Sequence, residues 1–208
     1  GTESEIYRKS NANIIEQLGI VKFAAEKKAT ALVIECMALE PQYQSITEMQ
    51  MIHATIGVIT NVRLDHVDVM GYSLPEIASV LGRTIPKNQH FFTSENQIPD
   101  VLEKIANQKK AVINFSEASS VSDYEMKSFN YIEHKDNVAI ALDICKHLDI
   151  DRETALRGMY KANPDAGALN RYNVELQNKK IIFYNGFAAN DPQSTLMIWR
   201  KLQNDSCL

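Results

Sequence analysis

Several features are scarce in this 208-residue sequence, and each absence narrows the class of protein. Only three cysteines occur, Cys36, Cys145 and Cys207, and no two of them form a CxxC pair. This spacing argues against a disulfide framework or a zinc knuckle and favours a reducing, cytosolic setting. Glycine and proline are also few, at 8 and 6 residues, which excludes a collagen-like chain or a largely disordered one.

Charge of one sign and long apolar runs are lacking too. The formal net charge is −4 with a pI of about 5.8, so we expect no general nucleic-acid surface, although a local basic pocket is compatible with this balance. No apolar run approaches the roughly 20 residues that span a bilayer, and no signal peptide is apparent. With 45% hydrophobic residues, the composition is that of a soluble globular protein. The sequence begins with GTESE rather than methionine, and we expect it to be a fragment.

Strand-like and helix-like segments alternate through the first part of the chain. Short apolar runs predict strands at 31–39, 55–62, 89–94, 110–116 and 128–134. Helical periodicity predicts helices at 11–28, 73–85 and 98–108. Apolar strands separated by helices predict an α/β domain with a mostly parallel sheet flanked by helices. Asn13 and Glu16 match a capping box for the first helix.

From residue 136 onward the pattern changes. A buried helix is predicted at 136–150, with Asp136 or Asn137 as its N-cap, and a second helix at 151–162, with Asp151 as its N-cap. The remaining segments predict a turn-rich link at 163–169, a β-hairpin within 173–187 and a helix at 191–203. We therefore expect one domain over residues 1–169 and the beginning of a second α/β domain over 170–208.

Polar side chains follow two of the predicted apolar strands. Glu35 lies towards the end of the first, and the segment TNVRLDHVDVMG places Asn61, Asp65 and His66 at and just after the end of the next. Ligands bind beyond the carboxyl ends of parallel strands, so these side chains converge if the two strands are neighbours. Carboxylates suit Mg²⁺, and a histidine beside a carboxylate can ligate a metal. An exposed strand end for Glu35 and an ordinary polar turn at Asp65 are the alternatives.

A second candidate turn lies near the end of the chain. The segment FAANDPQST places Asn190, Asp191, Ser194 and Thr195 between a predicted strand and a predicted helix. Such turns expose backbone N–H groups that bind anions and phosphates. Ordinary helix capping by Asn190 or Asp191 is the alternative.

Five segments, in order across nearly the whole chain, resemble the ligase subunit of poly-γ-glutamate synthase, a family of the Mur ligase superfamily. They are IECMALEPQYQ, GVITNVRLDHVDVMG, KDNVAIALDI, ALRGMYKANPDAGAL and NGFAANDPQSTLMIW. The resemblance implies a Mur ligase-like central domain, similar to P-loop NTPases, followed by the start of a C-terminal ligase domain. It also implies an ATP-dependent ligase that activates a glutamate γ-carboxyl as an acyl phosphate, which the amine of another glutamate then attacks.

The same resemblance implies the cofactors and partners. The cofactors are ATP and Mg²⁺ or Mn²⁺. The partners are glutamate, the growing poly-γ-glutamate chain and the membrane subunits of a capsule-forming complex, on the cytoplasmic side of the membrane. A homo-oligomer is compatible with this family, and nucleic acid is not an expected partner.

The resemblance also assigns roles to individual residues. Glu35 stands where the family holds a Mg²⁺, and His66 stands where Mur ligases place a ligand of a second Mg²⁺. Asn61 and Asp65 would shape the same rim, so that Glu35, Asp65 and His66 form the implied catalytic group.

Further matches concern the nucleotide. Asn137 matches an asparagine directed at the adenine, and Arg171 matches an arginine that contacts ATP phosphate. In the family pattern this arginine follows GAL directly, whereas here Asn170 intervenes. Asn185 and Asp191 lie in the C-terminal turn that closes over the nucleotide.

Departures from the family pattern leave two other interpretations open. No GxxxxGK[ST] loop occurs in this chain, and EIASVLGRT has no lysine where many Mur ligases carry a carbamylated one. The first alternative is an inactive remnant that keeps only the fold and a partner-binding surface. The second is a metal-dependent hydrolase built on Glu35, Asp65, His66 and Asp68.

Overall fold

The computed structural model describes residues 13–131, 133–164, 167, 169–187, 189 and 192–205. The chain divides into two compact units. The first comprises Gly1–Phe91 and Glu95–Asn114, and the second comprises Phe92–Ser94 and Phe115–Leu208. The predicted boundary between two domains, after residue 169, stays a prediction.

The first helix, α1, confirms the prediction for residues 11–28, with a different start. It spans Ile15–Glu26, and its N-cap is Ile14, which makes no side-chain capping bond. The side chain of Asn13 instead accepts a hydrogen bond of 3.0 Å from the backbone N–H of Ile15. The predicted capping box of Asn13 and Glu16 is therefore wrong.

The apolar run at residues 31–39 is not a strand, contrary to the prediction. It is extended without a regular hydrogen-bonding pattern, and the side chain of Val33 is 99% exposed. Apolar β-branched residues favour a strand only where another strand supplies the ladder of hydrogen bonds. Within the described part of the chain, no strand pairs with this run.

Two helical segments that the sequence analysis did not predict follow this run. Helix α2 spans Pro41–Ile46, with proline in its first turn. It continues without interruption into a π-helical segment, Thr47–Ile52, which ends at His53 in a left-handed conformation with φ of 52°. The two segments place a continuous helical surface beside α1 in the first unit.

A three-stranded parallel sheet with the strand order β1-β2-β3 forms the centre of the α/β fold. Its strands are β1 (Ile56–Ile59), β2 (His90–Thr93) and β3 (Val112–Phe115). The connecting helices are α3 (Val67–Met70), α4 (Leu74–Leu81) and α5 (Pro99–Gln108). The predicted strands at 55–62, 89–94 and 110–116 and the predicted helices at 73–85 and 98–108 are confirmed.

Apolar side chains of the sheet and the helices α4 and α5 form the core of the first unit. Val62, Phe91 and Leu102 are completely buried, and Ile77 and Ile85 are nearly so. Burying a large apolar side chain contributes about 1.5–3 kcal/mol, so this cluster fixes the strand ends to the helices. The segment after β1 is attached to this core through the side chain of Val62.

Three consecutive helices of the second unit build a separate apolar core. The helices are α6 (Asp123–Met126), α7 (Lys135–His147) and α8 (Arg152–Tyr160). Val138, Ala139 and Leu142 of α7 pack with Ala155 and Leu156 of α8. This confirms the two helices that the sequence predicted.

The N-termini of these helices compare differently with the predictions. Asp151 is the N-cap of α8, with its side chain accepting a hydrogen bond from the N–H of Thr154, as predicted. The N-cap of α7 is His134, so the prediction of Asp136 or Asn137 is wrong. The strand predicted at 128–134 is also wrong, because its described residues have no strand structure.

A β-hairpin follows, as predicted for residues 173–187, although it begins earlier. Strands β4 (Asn170–Leu176) and β5 (Lys179–Asn185) pair antiparallel, with Tyr172 opposite Phe183. The two turn residues, Gln177 and Asn178, have φ values of 50° and 63°, as a two-residue type I′ turn requires. Helix α9 (Pro192–Asp205) confirms the last predicted helix. Among the described residues, no helix is long and apolar enough to cross a bilayer.

Candidate functional site

Asp65 and His66 form a close pair just beyond β1. The carboxylate of Asp65 accepts a hydrogen bond of 2.8 Å from the backbone N–H of His66. Its other oxygen, Oδ2, lies 3.6 Å from His66 Nε2, too far for a hydrogen bond. The two side chains are 40% and 39% exposed, so both the carboxylate and the imidazole are accessible to a ligand.

The backbone of His66 is left-handed, which is uncommon for a residue other than glycine. Its φ is 46° and its ψ is 43°, and it immediately precedes α3. Its carbonyl accepts hydrogen bonds from the N–H groups of Val69 and Met70, both at 2.9 Å. The first turn of α3 therefore holds the backbone of His66 in this conformation.

Asn61 is half-buried. The next residue, Val62, has its backbone N–H bonded to a side chain from another part of the first unit. The N–H of Val62 donates to Glu95 Oε2 at 2.6 Å, and Glu95 is only 2% exposed. Nothing in the local sequence pattern marks Glu95 as a residue that supports this site. It resembles an ordinary polar residue before a helix, and its partner lies 33 positions away in the sequence.

Glu35 has an exposed side chain on the extended segment described above, rather than at the end of a strand as predicted. Its backbone carbonyl accepts a hydrogen bond of 2.5 Å from Gln17 Nε2 of α1. Farther along, the carbonyl of Leu39 accepts one of 3.3 Å from Gln44 Nε2 of α2. Both glutamines are 1% exposed, so two buried amides hold the backbone that carries Glu35.

A buried polar face lies on the helical surface formed by α2 and the π-helical segment. Gln44, Thr47 and Glu48 have the i, i+3, i+4 spacing of a single helix face, and each is at most 7% exposed. Glu48 Oε1 accepts a hydrogen bond of 3.1 Å from the N–H of Ala54. Burial raises the pKa of Glu48 to about 7, an effect that the hydrogen bond from Ala54 and the charge of Lys109 reduce.

Three oxygens of this buried region have no hydrogen-bond partner among the described residues. They are Gln17 Oε1, Gln44 Oε1 and Thr47 Oγ1. Buried acceptors without a hydrogen bond are uncommon in proteins, so this region holds more polar atoms than its own hydrogen bonds use. No role was predicted for residues 44–48.

Asn137 lies in the first turn of α7, in the second unit. Its side chain is exposed, and Nδ2 donates to Glu133 Oε1 at 2.9 Å. This contact orients the amide. Its carbonyl oxygen and its second N–H have the hydrogen-bonding capacity that an adenine edge requires.

Arg171 and Asn185 project from opposite faces of the hairpin. Arg171 pairs with Tyr184, whereas Asn185 pairs with Asn170, and neighbouring residues of a strand alternate between the two faces. Asn170, at the position where the family pattern has arginine, therefore shares a face with Asn185. The side chain of Asn185 accepts a hydrogen bond of 3.3 Å from the N–H of Phe187. Asp191 lies outside the described residues.

The donors near β1 are of the type that Mg²⁺ binds, but they are few. Among the described residues, no group of three His, Cys, Asp or Glu side chains could hold a metal ion. Mg²⁺ is commonly bound through one or two carboxylates, with water and substrate phosphates completing its shell. Asp65, together with His66, fits such a partial set.

Two family models match the chain. The Mur ligase middle domain matches residues 1–164. The C-terminal domain of the poly-γ-glutamate synthase CapB matches residues 171–207.

Two curated proteins are similar over most of this chain. The capsule biosynthesis protein CapB of Bacillus anthracis is 43% identical over 95% of the chain, which spans 42% of that protein. The PGA synthase CapB of Bacillus subtilis is 38% identical over 97% of the chain, which spans 51% of that protein. The chain thus spans about half the length of the curated relatives it matches.

Solved structures show the same fold at low sequence identity. The folylpolyglutamate synthase of Thermotoga maritima has a TM-score of 0.61 and 14% identity, covering 89% of this chain and 47% of the other. A bifunctional folylpolyglutamate synthase/dihydrofolate synthase with Mn, AMPPNP and L-glutamate bound has a TM-score of 0.57 and 14% identity, covering 75% of this chain and 40% of the other.

Proposed function

This chain belongs to the Mur ligase superfamily, among the CapB-type proteins, and on this premise we propose that it is part of an ATP-dependent amide ligase of poly-γ-glutamate synthesis. The main support is the Asp65–His66 pair shortly after β1, whose side chains are accessible to a ligand. The CapB-type relatives match this chain over nearly its whole length. Support also comes from a protein of the same fold that holds Mn, a nucleotide analogue and L-glutamate.

The proposed reaction joins a γ-carboxylate to an amine. The carboxylate oxygen attacks the terminal phosphorus of ATP, which releases ADP and leaves an acyl phosphate. The amine nitrogen of a second glutamate then attacks the acyl carbon, phosphate leaves, and the nitrogen loses a proton. Mg²⁺ or Mn²⁺, when bound, neutralises charge on the phosphoryl oxygens.

In the first unit, four residues have proposed roles. His66 and Glu35 would each hold a metal ion, and both have side chains open to solvent. Asp65 orients the backbone of His66 and adds negative charge that favours a cation. Asn61 would line the same rim as Asp65 and His66, since it lies on the same short segment.

In the second unit, the proposed roles concern ATP. The amide of Asn137 would recognise adenine, and Arg171, Asn185 and Asp191 would contact the nucleotide. Because Arg171 and Asn185 face opposite sides of the hairpin, both can contact the same ATP only if the nucleotide passes the edge of the hairpin. The remaining partners proposed are the growing polymer and membrane subunits at the cytoplasmic face.

The second candidate is a remnant without ligase activity. It is favoured by one observation, the lack of a GxxxxGK[ST] loop anywhere in the 208 residues. In P-loop enzymes, that loop supplies the lysine and the backbone N–H groups that hold the phosphates. Activity of the complete gene product decides between the two candidates.

The test is His66→Ala in the full-length protein, with ATP- and glutamate-dependent phosphate release as the measurement. We expect a loss of at least about 10- to 100-fold, the cost that is typical of replacing a residue that supports a metal ligand. His53→Ala is the matched control, because His53 is also left-handed and exposed, with φ of 52°, and has no proposed role. Wild-type turnover of the His66 variant would remove His66 from the site.

A further inference from the structure

Glu95 is a buried carboxylate that is hydrogen-bonded to the segment carrying Asn61, Asp65 and His66. It follows β2, and its side chain reaches the backbone after β1, with the Val62 N–H donating to Oε2 at 2.6 Å. Its other oxygen, Oε1, accepts hydrogen bonds from the N–H groups of Gln97, at 2.6 Å, and Ile98, at 3.1 Å. One side chain therefore joins the loop after β1 to the beginning of α5.

Both oxygens are needed for this arrangement. A carboxylate presents acceptors on each side, whereas an amide presents one acceptor and one donor. In place of Glu95, a glutamine would direct its NH₂ either at the Val62 N–H or at the N–H groups of Gln97 and Ile98. A buried donor left without an acceptor is destabilising, so neither orientation restores the native contacts.

The location of Val62 gives the contact its functional meaning. Val62 is fully buried, so its side chain is held by the core while its N–H is held by Glu95. Asn61 precedes it directly, and Asp65 and His66 follow three and four positions later, immediately before α3. We propose that Glu95 is a positioning residue that fixes the 60–66 segment, and through it the imidazole of His66, for metal binding.

This inference rests on the proposed function for its activity readout, but its structural part is tested separately. The variant is Glu95→Gln in the full-length protein, with site-resolved amide hydrogen exchange at Val62. We expect exchange at Val62 to become at least about tenfold faster, corresponding to the loss of about 1.4 kcal/mol of local protection. Unchanged exchange at Val62 would overturn the proposal.

The activity readout is the Mg²⁺ concentration that gives half-maximal phosphate release. A misplaced outer residue weakens metal affinity by about 10-fold or more, so we expect this concentration to rise by about that factor in Glu95→Gln. Two controls lie on α5. Glu103→Gln makes the same chemical change at an exposed position, and Ala106→Gly loosens the same helix at a buried one. Both should leave the Mg²⁺ dependence unchanged.

The outcomes separate this inference from the proposed function. If His66→Ala shifts the Mg²⁺ dependence and Glu95→Gln behaves like its controls, the positioning role is wrong and the ligase assignment stands. If His66→Ala has no effect, the proposed role of His66 is wrong, whatever Val62 exchange shows. If Glu95→Gln does not fold, Glu95→Asp replaces it. This variant keeps both oxygens but draws them back by one methylene, and the same two measurements apply.

Discussion

At the residue scale, burial has its clearest chemical effect at Glu48. Its carboxyl group is enclosed by the π-helical segment, hydrogen-bonded to the N–H of Ala54 and electrostatically close to Lys109 and Cys36. Lys109 donates to the carbonyls of Arg83 and Ile85 at 2.7 and 2.6 Å. Burial raises the pKa of Glu48 from 4.5 to about 7, so the folded state favours its protonated form.

Stability should therefore fall as the pH rises through this range. Between about 4.5 and 7, the unfolded chain releases the Glu48 proton while the folded chain retains it, and unfolding becomes easier. Glu48→Gln keeps an acceptor for Ala54 and removes the titration. We expect it to raise the free energy of unfolding at pH 8 by roughly 2 kcal/mol and to have little effect at pH 4.

Urea unfolding at several pH values measures this effect, with Glu26→Gln as an exposed control. A wild-type protein whose stability is the same at pH 5 and pH 8, after correction with the control, would contradict the account of Glu48.

At the element scale, one carboxylate ties α6 to α8. Glu125 completes a capping box with Ser122 at the start of α6 and accepts hydrogen bonds from Arg152 at 2.7 and 3.1 Å. Arg152 also donates to the carbonyl of Ser120 at 2.8 Å. The hydrogen bond from Arg152, followed by those from the backbone and side chain of Ser122, lowers the pKa of Glu125 to about 2.

A lowered carboxyl pKa gives the opposite pH dependence to that of Glu48. The stabilisation is complete above the ordinary pKa of 4.5 and disappears as the pH falls towards 2. Since Arg152 is 46% exposed, solvent weakens the pair, and we expect Arg152→Gln to lower the free energy of unfolding by about 1 kcal/mol at pH 7. The difference should become smaller near pH 2, where the contribution of the Glu125 pair is lost and only the bond from Arg152 to the carbonyl of Ser120 is left. Chemical denaturation at both pH values measures it, and an equal difference at both would exclude the ion pair as its cause.

Strand β1 makes a second element-scale prediction possible, through Gly57. A Cβ at this position would collide with the ring of Pro86, and a proline ring cannot turn aside. We expect Gly57→Ala to lower the free energy of unfolding by about 1–3 kcal/mol. Gly158→Ala in α8 is the matched control, since no atom lies within 4 Å of its added Cβ. It should raise stability by up to about 1 kcal/mol, and thermal unfolding of both variants shows whether the signs differ.

The elements also show which parts of the fold the sequence could predict. Hairpin β4–β5 was predictable because its signal is local, with two short runs around Gln177 and Asn178. The strand at 31–39 was wrongly predicted because an apolar run indicates a tendency to form a strand, whereas the strand also needs a neighbouring strand to pair with. Glu95 could not be found because its hydrogen bonds depend on which strand lies beside which. Asp65 and His66 were proposed as site residues because they are adjacent and come shortly after a predicted strand, and this assignment stays a prediction.

At the scale of the whole molecule, the proposed residues are divided between the two units. Glu35, Asn61, Asp65 and His66 belong to the first, and Asn137, Arg171 and Asn185 belong to the second. Neither unit contains a GxxxxGK[ST] sequence, whose backbone and lysine give phosphate binding much of its strength.

The 208-residue chain alone should therefore bind ATP–Mg²⁺ weakly. Calorimetric titration of the isolated chain, with the full-length protein measured beside it, tests this expectation. Micromolar binding by the isolated chain would mean that residues within it, rather than a phosphate loop, dominate nucleotide affinity.

The left-handed backbone at His66 restricts which residues can occupy this position during evolution. Asparagine and glycine adopt such a conformation readily, whereas β-branched residues adopt it at high cost. Relatives without a histidine at this position should therefore carry asparagine or glycine first, and valine or isoleucine only where the turn before α3 has been rebuilt. Sequence variation at position 66 can then distinguish chains that have lost only the imidazole from chains that have lost the turn itself.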